Sequence, residues 1–325
     1  MTLESTKLLT IAIPTYNRSE YLSLCLSQIC RQLDPVGDKV DVIVSDNCST
    51  DNTREVVGKY IENGYNIKYV RNETNLGADG NIVQCYNVSN SKYVLVFGDD
   101  DILLDESLGK IISILQGNDF GIVYLNSFVF SNDYILEMPQ STDNQLKVFK
   151  QHDEFIERVH YWLTFISGNI VNITHISKEI DSNFFYGTNL AQMSYILPAL
   201  FNAEQNAVAE EYLLAVRGEN SGGYRLCEVF GVNFNKIFDF FVLHGVDRKY
   251  FDVINNHLLR TFFPGFIFGL RNSKNDFVKE KYFAVLLKVY CKNINFWIYT
   301  MPMIILPIRL AKLWSMVSSR LLKYV

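Results

Sequence analysis

Over its first 130 residues the chain alternates short apolar runs with amphipathic stretches, and this alternation limits the folds open to it. Apolar runs rich in β-branched residues at 8–14, 40–46, 67–71, 93–98 and 121–130 predict strands. Helical patterns lie between them at 20–33, 50–60, 77–88 and 105–115. In the first of these, Leu22, Leu26, Ile29 and Leu33 recur at spacings of three and four, which makes one helical face apolar. Ser49-Thr50-Asp51-Asn52 supplies capping hydroxyls and an acid at the start of the second. Such alternation predicts an α/β protein: a mostly parallel, Rossmann-like sheet flanked by helices, with right-handed crossovers. The loops at the carboxyl ends of the strands then share one rim, where ligands bind in sheets of this kind. They are the segments 14–18, 46–49, 71–77 and 98–101, and the unusual polar residues of this half fall in them.

The fourth strand carries the strongest chemical signal. Tyr93-Val94-Leu95-Val96-Phe97 stops at Gly98 and is followed by Asp99-Asp100-Asp101. Three adjacent carboxylates repel one another, so a positive partner is expected, and a hard cation such as Mg²⁺ or Mn²⁺ suits oxygen ligands. The plainer reading is an acid-rich turn before the helix that begins near Asp105, since helix N-termini favour acids. On the other loops, Tyr16 offers a flat ring for a nucleobase, or simply belongs to a strand-to-helix turn. Asp46 can accept a hydrogen bond from a base N–H. Arg71 can serve phosphate or base, or be an ordinary surface arginine. Asn75-Leu76-Gly77 puts a glycine at a helix start, where backbone amides can approach a phosphate. No G-x-G-x-x-G follows the first strand and no Walker A lysine loop exists, which disfavours dinucleotide oxidoreductases and P-loop enzymes.

Together the four loops resemble the nucleotide-sugar site of family 2 glycosyltransferases with the GT-A fold. The likeness rests on Ile13-Pro14-Thr15-Tyr16-Asn17-Arg18, on Ser45-Asp46-Asn47-Cys48-Ser49-Thr50-Asp51-Asn52-Thr53, on Asn75-Leu76-Gly77 with Asn81, and on Phe97-Gly98-Asp99-Asp100-Asp101. It covers roughly residues 7–130, with the motifs in family order. The resemblance implies that Pro14, Thr15, Tyr16 and Asp46 hold the nucleobase. Arg18, Asn47, Arg71, Asn75, Gly77, Asn81 and Asp99 are implied as further donor contacts. Asp100 and Asp101 would hold Mg²⁺ or Mn²⁺, with Gly98 standing where the family has the first acid of its D-x-D element. Weaker similarity to abequosyltransferase-like O-antigen and capsule enzymes rests on Gly98-Asp99-Asp100-Asp101, Tyr186-Gly187-Thr188-Asn189 and Val216-Arg217-Gly218-Glu219-Asn220-Ser221. The implied activity is metal-dependent transfer of a sugar from a nucleotide-sugar donor to a polyprenyl-diphosphate-linked glycan, in surface-polysaccharide synthesis. An inverting transfer needs a carboxylate base. The family base belongs near Asn189-Leu190-Ala191-Gln192-Met193, which has no acid. Glu219, Glu210 and Glu211 are the alternatives, unless the stereochemical course differs. Arg217 is either a diphosphate contact or part of a structural ion pair. Two other functions stay open: a GT-A nucleotidyltransferase, disfavoured because segment 14–18 lacks a glycine-rich basic loop, and a non-catalytic sugar-nucleotide binder.

The rest of the chain reads differently. Beyond residue 131 the alternation stops; 131–153 is polar, and helical patterns follow at 154–166, 190–201, 230–243 and 250–269. The expected organisation is a nucleotide-sugar-binding half at 1–130, an acceptor-binding half at 131–225 and a helical C-terminal region at 226–325. The net charge of −5 conceals an asymmetry: residues 281–325 hold seven Lys or Arg and no acid, leaving 23 basic against 35 acidic residues elsewhere. An acidic body with a basic, apolar tail argues against nucleic acid and for an anionic surface. Residues 296–308 are uncharged but too short to span a bilayer, which takes about 20. From 308 to 325, Leu310, Leu313, Trp314, Val317 and Leu321 share one helical face, with Arg309, Lys312, Arg320 and Lys323 on the other. This pattern predicts a helix lying in the headgroup region of the inner leaflet, or alternatively one packed on the protein's own core. The first seven residues lack a signal-peptide pattern, and the six scattered cysteines form no C-x-x-C pair. The expected location is cytoplasmic, peripheral to the inner face of the plasma membrane.

Overall fold

The computed structural model describes residues 7–139, 143–176, 182–218, 223, 225–272 and 280–321, and they fall into two compact units. The first comprises residues 1–155 and 162–220 and is built on one nine-stranded sheet. Its elements run β1 (Leu9–Thr15), α1 (Ser19–Cys30), β2 (Val40–Asp46), α2 (Thr53–Glu62), β3 (Ile67–Arg71), α3 (Gly77–Asn87) and β4 (Tyr93–Val96). There follow β5 (Ile102–Leu103), α4 (Ser107–Leu115), β6 (Ile122–Phe130), β7 (Leu146–Phe149), β8 (Asn169–Asn172), α6 (Met193–Asn202) and β9 (Asn206–Arg217), while α5 (His152–Val159) begins in this unit and ends in the second. The strand order is β3-β2-β1-β4-β8-β6-β9-β5, with β7 also paired to β9.

The parallel register explains the rim. Thr15 lies opposite Asp46, and Asp46 opposite Arg71, so β1, β2 and β3 end level. On the other side of β1, Ala12 lies opposite Val96, and the Phe97 amide still donates to the Ala12 carbonyl. The acids that follow Gly98 therefore emerge beside the end of β1. Nearly every side chain of β1 and all of β4 are buried, as expected for central strands covered on both faces. Leu22, Leu26 and Ile29 of α1 join Leu9, Ile11, Val42 and Leu95 in one hydrophobic core.

The expected mostly parallel sheet with flanking helices is what forms, with four antiparallel pairings added: β4–β8, β6–β8, β5–β9 and β7–β9. Within 131–225, the expected acceptor-binding half, β7, β8 and β9 belong to this same sheet. The long strand β9 went unforeseen because Glu210-Glu211 interrupts its apolar run. Leu125 pairs with Ala209 but Asn126 pairs with Tyr212, so the two glutamates form a bulge.

The second unit comprises residues 156–161 and 221–325 and is helical: α7 (Phe234–Leu243), α8 (Arg248–His257), α9 (Phe263–Asn272), α10 (Tyr282–Tyr290), α11 (Met301–Ile305) and α12 (Ile308–Leu321). Phe234, Phe238, Phe251, Phe263 and Phe296 are fully buried within it. Asn235, Asn255 and Tyr290 exchange hydrogen bonds of 2.8–3.2 Å, tying α7, α8 and α10 together. Along α12, Ala311 and Ser318 face inward, while Leu310 and Leu313 are 49% and 55% exposed and Met316 and Val317 are similarly open. Trp314 is tied back through its indole N–H to the Ile298 carbonyl at 2.8 Å. The apolar stripe at 310, 313 and 317 thus faces outward. Among the described residues no helix is long and apolar enough to cross a membrane.

Candidate active site

A cleft of about 380 Å³ opens at the carboxyl ends of β1, β2 and β4. Pro14, Thr15, Tyr16 and Arg18 line one side, Asn47, Asn75, Gly77 and Asn81 another, and Gly98, Asp99 and Asp100 the floor. Two larger clefts of about 490 Å³ lie beside Arg31 and Asp105, and beside Lys110 and Glu211. They hold the ion pairs Arg31–Asp105 and Lys110–Glu211. Of these three clefts, the first is the one that gathers residues from several rim loops around buried carboxylates.

Each wall is held by side-chain hydrogen bonds. Asn81 is almost fully buried and acts as a strut: its Oδ1 accepts from Ser45 Oγ at 2.7 Å, and its Nδ2 donates to the Ser45 carbonyl at 3.0 Å. Asn47 Nδ2 donates to Asn75 Oδ1 at 2.8 Å and to the Gly77 carbonyl at 3.1 Å. Gly77 opens α3 with φ +74°, a conformation that favours glycine. Tyr16 is 43% exposed at the mouth, the exposure expected of a ring that awaits a partner.

The three acids have different surroundings. Asp99 Oδ2 accepts from Thr15 Oγ1 at 2.7 Å, and its Oδ1 meets Arg18 Nη1 at 2.9 Å. Asp100 Oδ2 meets Arg18 Nη2 at 2.7 Å. Asp101 does not line the cleft; its Oδ2 accepts from Ser167 Oγ at 2.5 Å, and Ser167 Oγ in turn accepts from the Gly98 amide at 2.8 Å. Burial pushes the Asp99 carboxyl up to about 6, against the pull of Arg18 and Thr15. Burial, and after it the Asp100 charge, push Asp101 up to about 7. Burial works against the Arg18 guanidinium, but Asp99 and Asp100 outweigh it and raise its pKa. Gly98 is needed for this packing: a Cβ there would lie 2.9 Å from Asp101 Oδ2 and 3.3 Å from both Asp100 Oδ1 and Ser167 Oγ. A side chain at this position would force the Asp101 carboxylate to shift.

Several expected site residues lie outside the cleft. Asp46 is fully buried, accepting from the Ser49 amide at 2.8 Å and the Tyr69 hydroxyl at 2.5 Å, with Arg71 Nε at 3.4 Å. Arg71 also donates to the Ser49 carbonyl at 3.0 Å, so this pair shapes the loop between β2 and α2. Arg217 lies over the rings of Phe130 and Tyr21, 4.8 and 5.2 Å from their centres, and its Nε is buried without a partner. Glu210 is paired with Lys147 at 3.1 Å and Glu211 with Lys110, both away from the cleft. Glu219 lies outside the described residues. At the place where the family base belongs, Gln192 donates to the Thr164 carbonyl at 2.8 Å, and its buried Oε1 has no partner.

One residue was missed altogether. Asp79, in the first turn of α3, accepts from the backbone amides of Gly187 at 2.8 Å, Asn189 at 3.0 Å and Ala191 at 3.3 Å. It ties the helix that walls the cleft to the loop before α6. In the sequence it reads only as an acid near a helix start, and nothing local marks a partner more than 100 residues away.

The mostly parallel sheet flanked by helices, with a cleft at its carboxyl rim, is the GT-A fold. Residues 10–184, more than half of the chain, match the model of Glycosyl transferase family 2, and the chain belongs to that family. Abequosyltransferase RfbV of Salmonella typhimurium is 41% identical over 111 residues, 34% of this chain and 33% of RfbV. The chain therefore matches about a third of that relative's length. Glycosyltransferase MJ1057 of Methanocaldococcus jannaschii is 24% identical over 254 residues, 75% of this chain and 81% of that one. Among solved structures, S. aureus TarS residues 1–349 in complex with UDP superposes with a TM-score of 0.62 at 19% identity. That superposition covers 96% of this chain and 89% of TarS 1–349. At that identity the likeness is one of fold.

Proposed function

We propose that the protein is a glycosyltransferase that binds a nucleotide sugar in the cleft at the ends of β1, β2 and β4 and transfers its sugar to a lipid-linked glycan. The observation that carries this reading is the convergence of Tyr16, Asn47, Asn75, Arg18, Asp99 and Asp100 on one cleft. Tyr16 stacks on the base, and the Asn47–Asn75 pair lines the wall beside it. Arg18 faces the diphosphate, whose negative charge grows as the glycosidic bond breaks. Similarity to RfbV, and to TarS crystallised with UDP and UDP-GlcNAc, makes uridine diphosphate sugars and deoxyhexose donors the first to test.

The residues fit a divalent cation. Such ions are held in donor sites by one or two carboxylates together with substrate phosphates and water. Asp99 and Asp100 border the cleft, and both are already paired with a cationic group. Among the described residues no cluster of three or more His, Cys, Asp or Glu would hold a metal unaided, which leaves the donor to complete the shell. Mg²⁺ or Mn²⁺, if bound there, would supply Lewis-acid stabilisation of the departing diphosphate. Asp100 is the proposed direct ligand, Asp99 its neighbour, and Asp101 a support fixed by Ser167.

The acceptor is proposed to be a polyprenyl-diphosphate-linked oligosaccharide at the inner leaflet. The basic tail and the outward apolar stripe of α12 support a peripheral membrane site. A second reading, binding without transfer, is favoured by one observation: Gln192 stands where an acid is needed, and Glu210 and Glu211 are engaged elsewhere. Calorimetric titration with a nucleotide-sugar panel and Mn²⁺, followed by product assay on membrane lipid extracts, separates the two. Donor that binds but is neither transferred nor hydrolysed would establish the binder. Asp100→Ala is expected to abolish metal-dependent binding while the fold survives; full activity of that variant in chelated buffer would end the metal assignment.

A further inference from the structure

The carboxylates offered to a divalent cation are already occupied by a group of this chain. Arg18 bridges Asp99 Oδ1 at 2.9 Å and Asp100 Oδ2 at 2.7 Å, one guanidinium nitrogen to each acid. The two acids are nearly buried and Asp99 is also fixed by Thr15, whereas about a third of the Arg18 side chain is exposed. The acids are therefore the fixed partner of the pair and the arginine the movable one. Its guanidinium also lies 4.9 Å from the centre of the Tyr21 ring, whose other neighbour is Arg217 at 5.2 Å. A cation bound by these oxygens would sit beside the guanidinium that now neutralises them, and the two positive charges would repel.

We propose that Arg18 is an exchangeable counter-ion, which holds Asp99 and Asp100 while the donor is absent and moves to the donor's diphosphate when the divalent cation takes its place. This rests on the reading of the cleft as a nucleotide-sugar site. The geometry makes the exchange favourable only when both ligands arrive. A cation alone must displace Arg18 into solvent, and a diphosphate alone must draw Arg18 off its acids and leave them unpaired. With both present, the cation pairs with the acids and the guanidinium with the diphosphate, which suits its planar, multidentate donors. Cation and nucleotide thus bind with positive coupling, and by linkage each raises the affinity of the other equally.

The test is Mn²⁺ binding to the full-length protein, read by the electron paramagnetic resonance signal of free Mn²⁺, with no nucleotide and with saturating UDP. For the wild type, Mn²⁺ alone should bind at least tenfold more weakly than Mn²⁺ in the presence of UDP. Arg18→Gln should bind Mn²⁺ alone at least tenfold more tightly than the wild type, and UDP should then add little. Arg18→Lys, which keeps the charge but cannot bridge both acids, should fall between them. Equal Mn²⁺ affinity of wild type and Arg18→Gln without nucleotide overturns the proposal, as does a wild type that binds Mn²⁺ equally well with and without UDP. The wild-type comparison needs no variant, so it decides even if Arg18→Gln fails to fold. If neither UDP nor GDP binds the wild type, the donor-site reading fails and the coupling with it. The Mn²⁺-only comparison of the variants is then the separate measure of whether Arg18 guards the acids.

Discussion

Removing Asp79 should release the loop before α6 without weakening nucleotide binding. Its carboxylate accepts two good bonds, from Gly187 and Asn189, and a longer one from Ala191, in a nearly buried position. Hydrogen bonds to a charged group contribute about 1.5–3 kcal/mol each. The two short ones alone set the expected local loss for Asp79→Ala at about 3 kcal/mol. The loop also holds Asn189 in the left-handed region at φ +58°, a conformation that persists where its surroundings hold it. Asp79→Asn keeps one acceptor oxygen and should lose about 1 kcal/mol. Hydrogen exchange reads this locally and does not assume that two units unfold together. A loss of about 3 kcal/mol corresponds to roughly a hundredfold drop in protection of the Gly187 and Asn189 amides. Nucleotide affinity should stay within about threefold, since Asp79 does not line the cleft. Protection changed by less than about threefold in Asp79→Ala would refute the reasoning, because the three bonds would then contribute nothing to holding the loop.

Further outcomes follow from other parts of the molecule. Tyr16→Ala should weaken nucleotide binding by about 1–3 kcal/mol through lost stacking, and an unchanged dissociation constant by calorimetry would return Tyr16 to an ordinary turn residue. Asp99 and Asp101 titrate near 6 and near 7 in the folded chain against an ordinary value of 3.8, so the folded state binds more protons between them. Stability in chelated buffer should accordingly fall as pH rises from about 4 to about 7, and Asp101→Asn should flatten that slope in urea titrations; an equal slope in the variant would exclude Asp101 as its source. The double substitution Leu310→Glu with Leu313→Glu alters exposed positions and should leave the melting temperature nearly unchanged while abolishing co-sedimentation with anionic vesicles. Vesicle binding that survives it, or a parent indifferent to vesicles, would defeat the membrane assignment.

The parts of the fold that could be read from sequence are those governed by local periodicity. Strands β1 to β4 and helices α1 to α4 follow from apolar spacing and turn residues, and their ends shift by only a few residues. Helix α1 stops at Cys30 because the amides of Gln32 and Leu33 turn back onto Ile29 and Cys30. Strand β9 escaped because its bulge breaks the alternation, and β8 because Asn169 and Asn172 bracket only two apolar residues. At the site, Tyr16, Asn47, Asn75, Gly77, Asp99 and Asp100 meet in the cleft as the motifs imply. Asp46 does not reach it, since Tyr69 and the Ser49 amide take its oxygens. The contacts of Arg18 with the acids and of Asp79 with Gly187 join residues 81–108 positions apart, and no local pattern announces either pair.

Charge explains why this rim is arranged as it is. Three carboxylates stand together at the end of β4, and Arg18 bridges the two that face the cleft. The third is withdrawn behind them, where burial and the Asp100 charge favour its protonated form against the hydrogen bond from Ser167. Arg18 thus offsets one of the two carboxylate charges on the open side, which helps Asp99 and Asp100 to stay nearly buried. A nucleoside diphosphate entering this balance brings negative charge that one guanidinium cannot offset while it still serves two acids. Either the acids lose their partner or the diphosphate goes without one. On the proposed exchange, a divalent cation arriving with the donor would remove the conflict, because it would satisfy the acids and release the arginine to the phosphates. The same carboxylates that would oppose the donor in a metal-free site would then become the reason it binds once the cation is present.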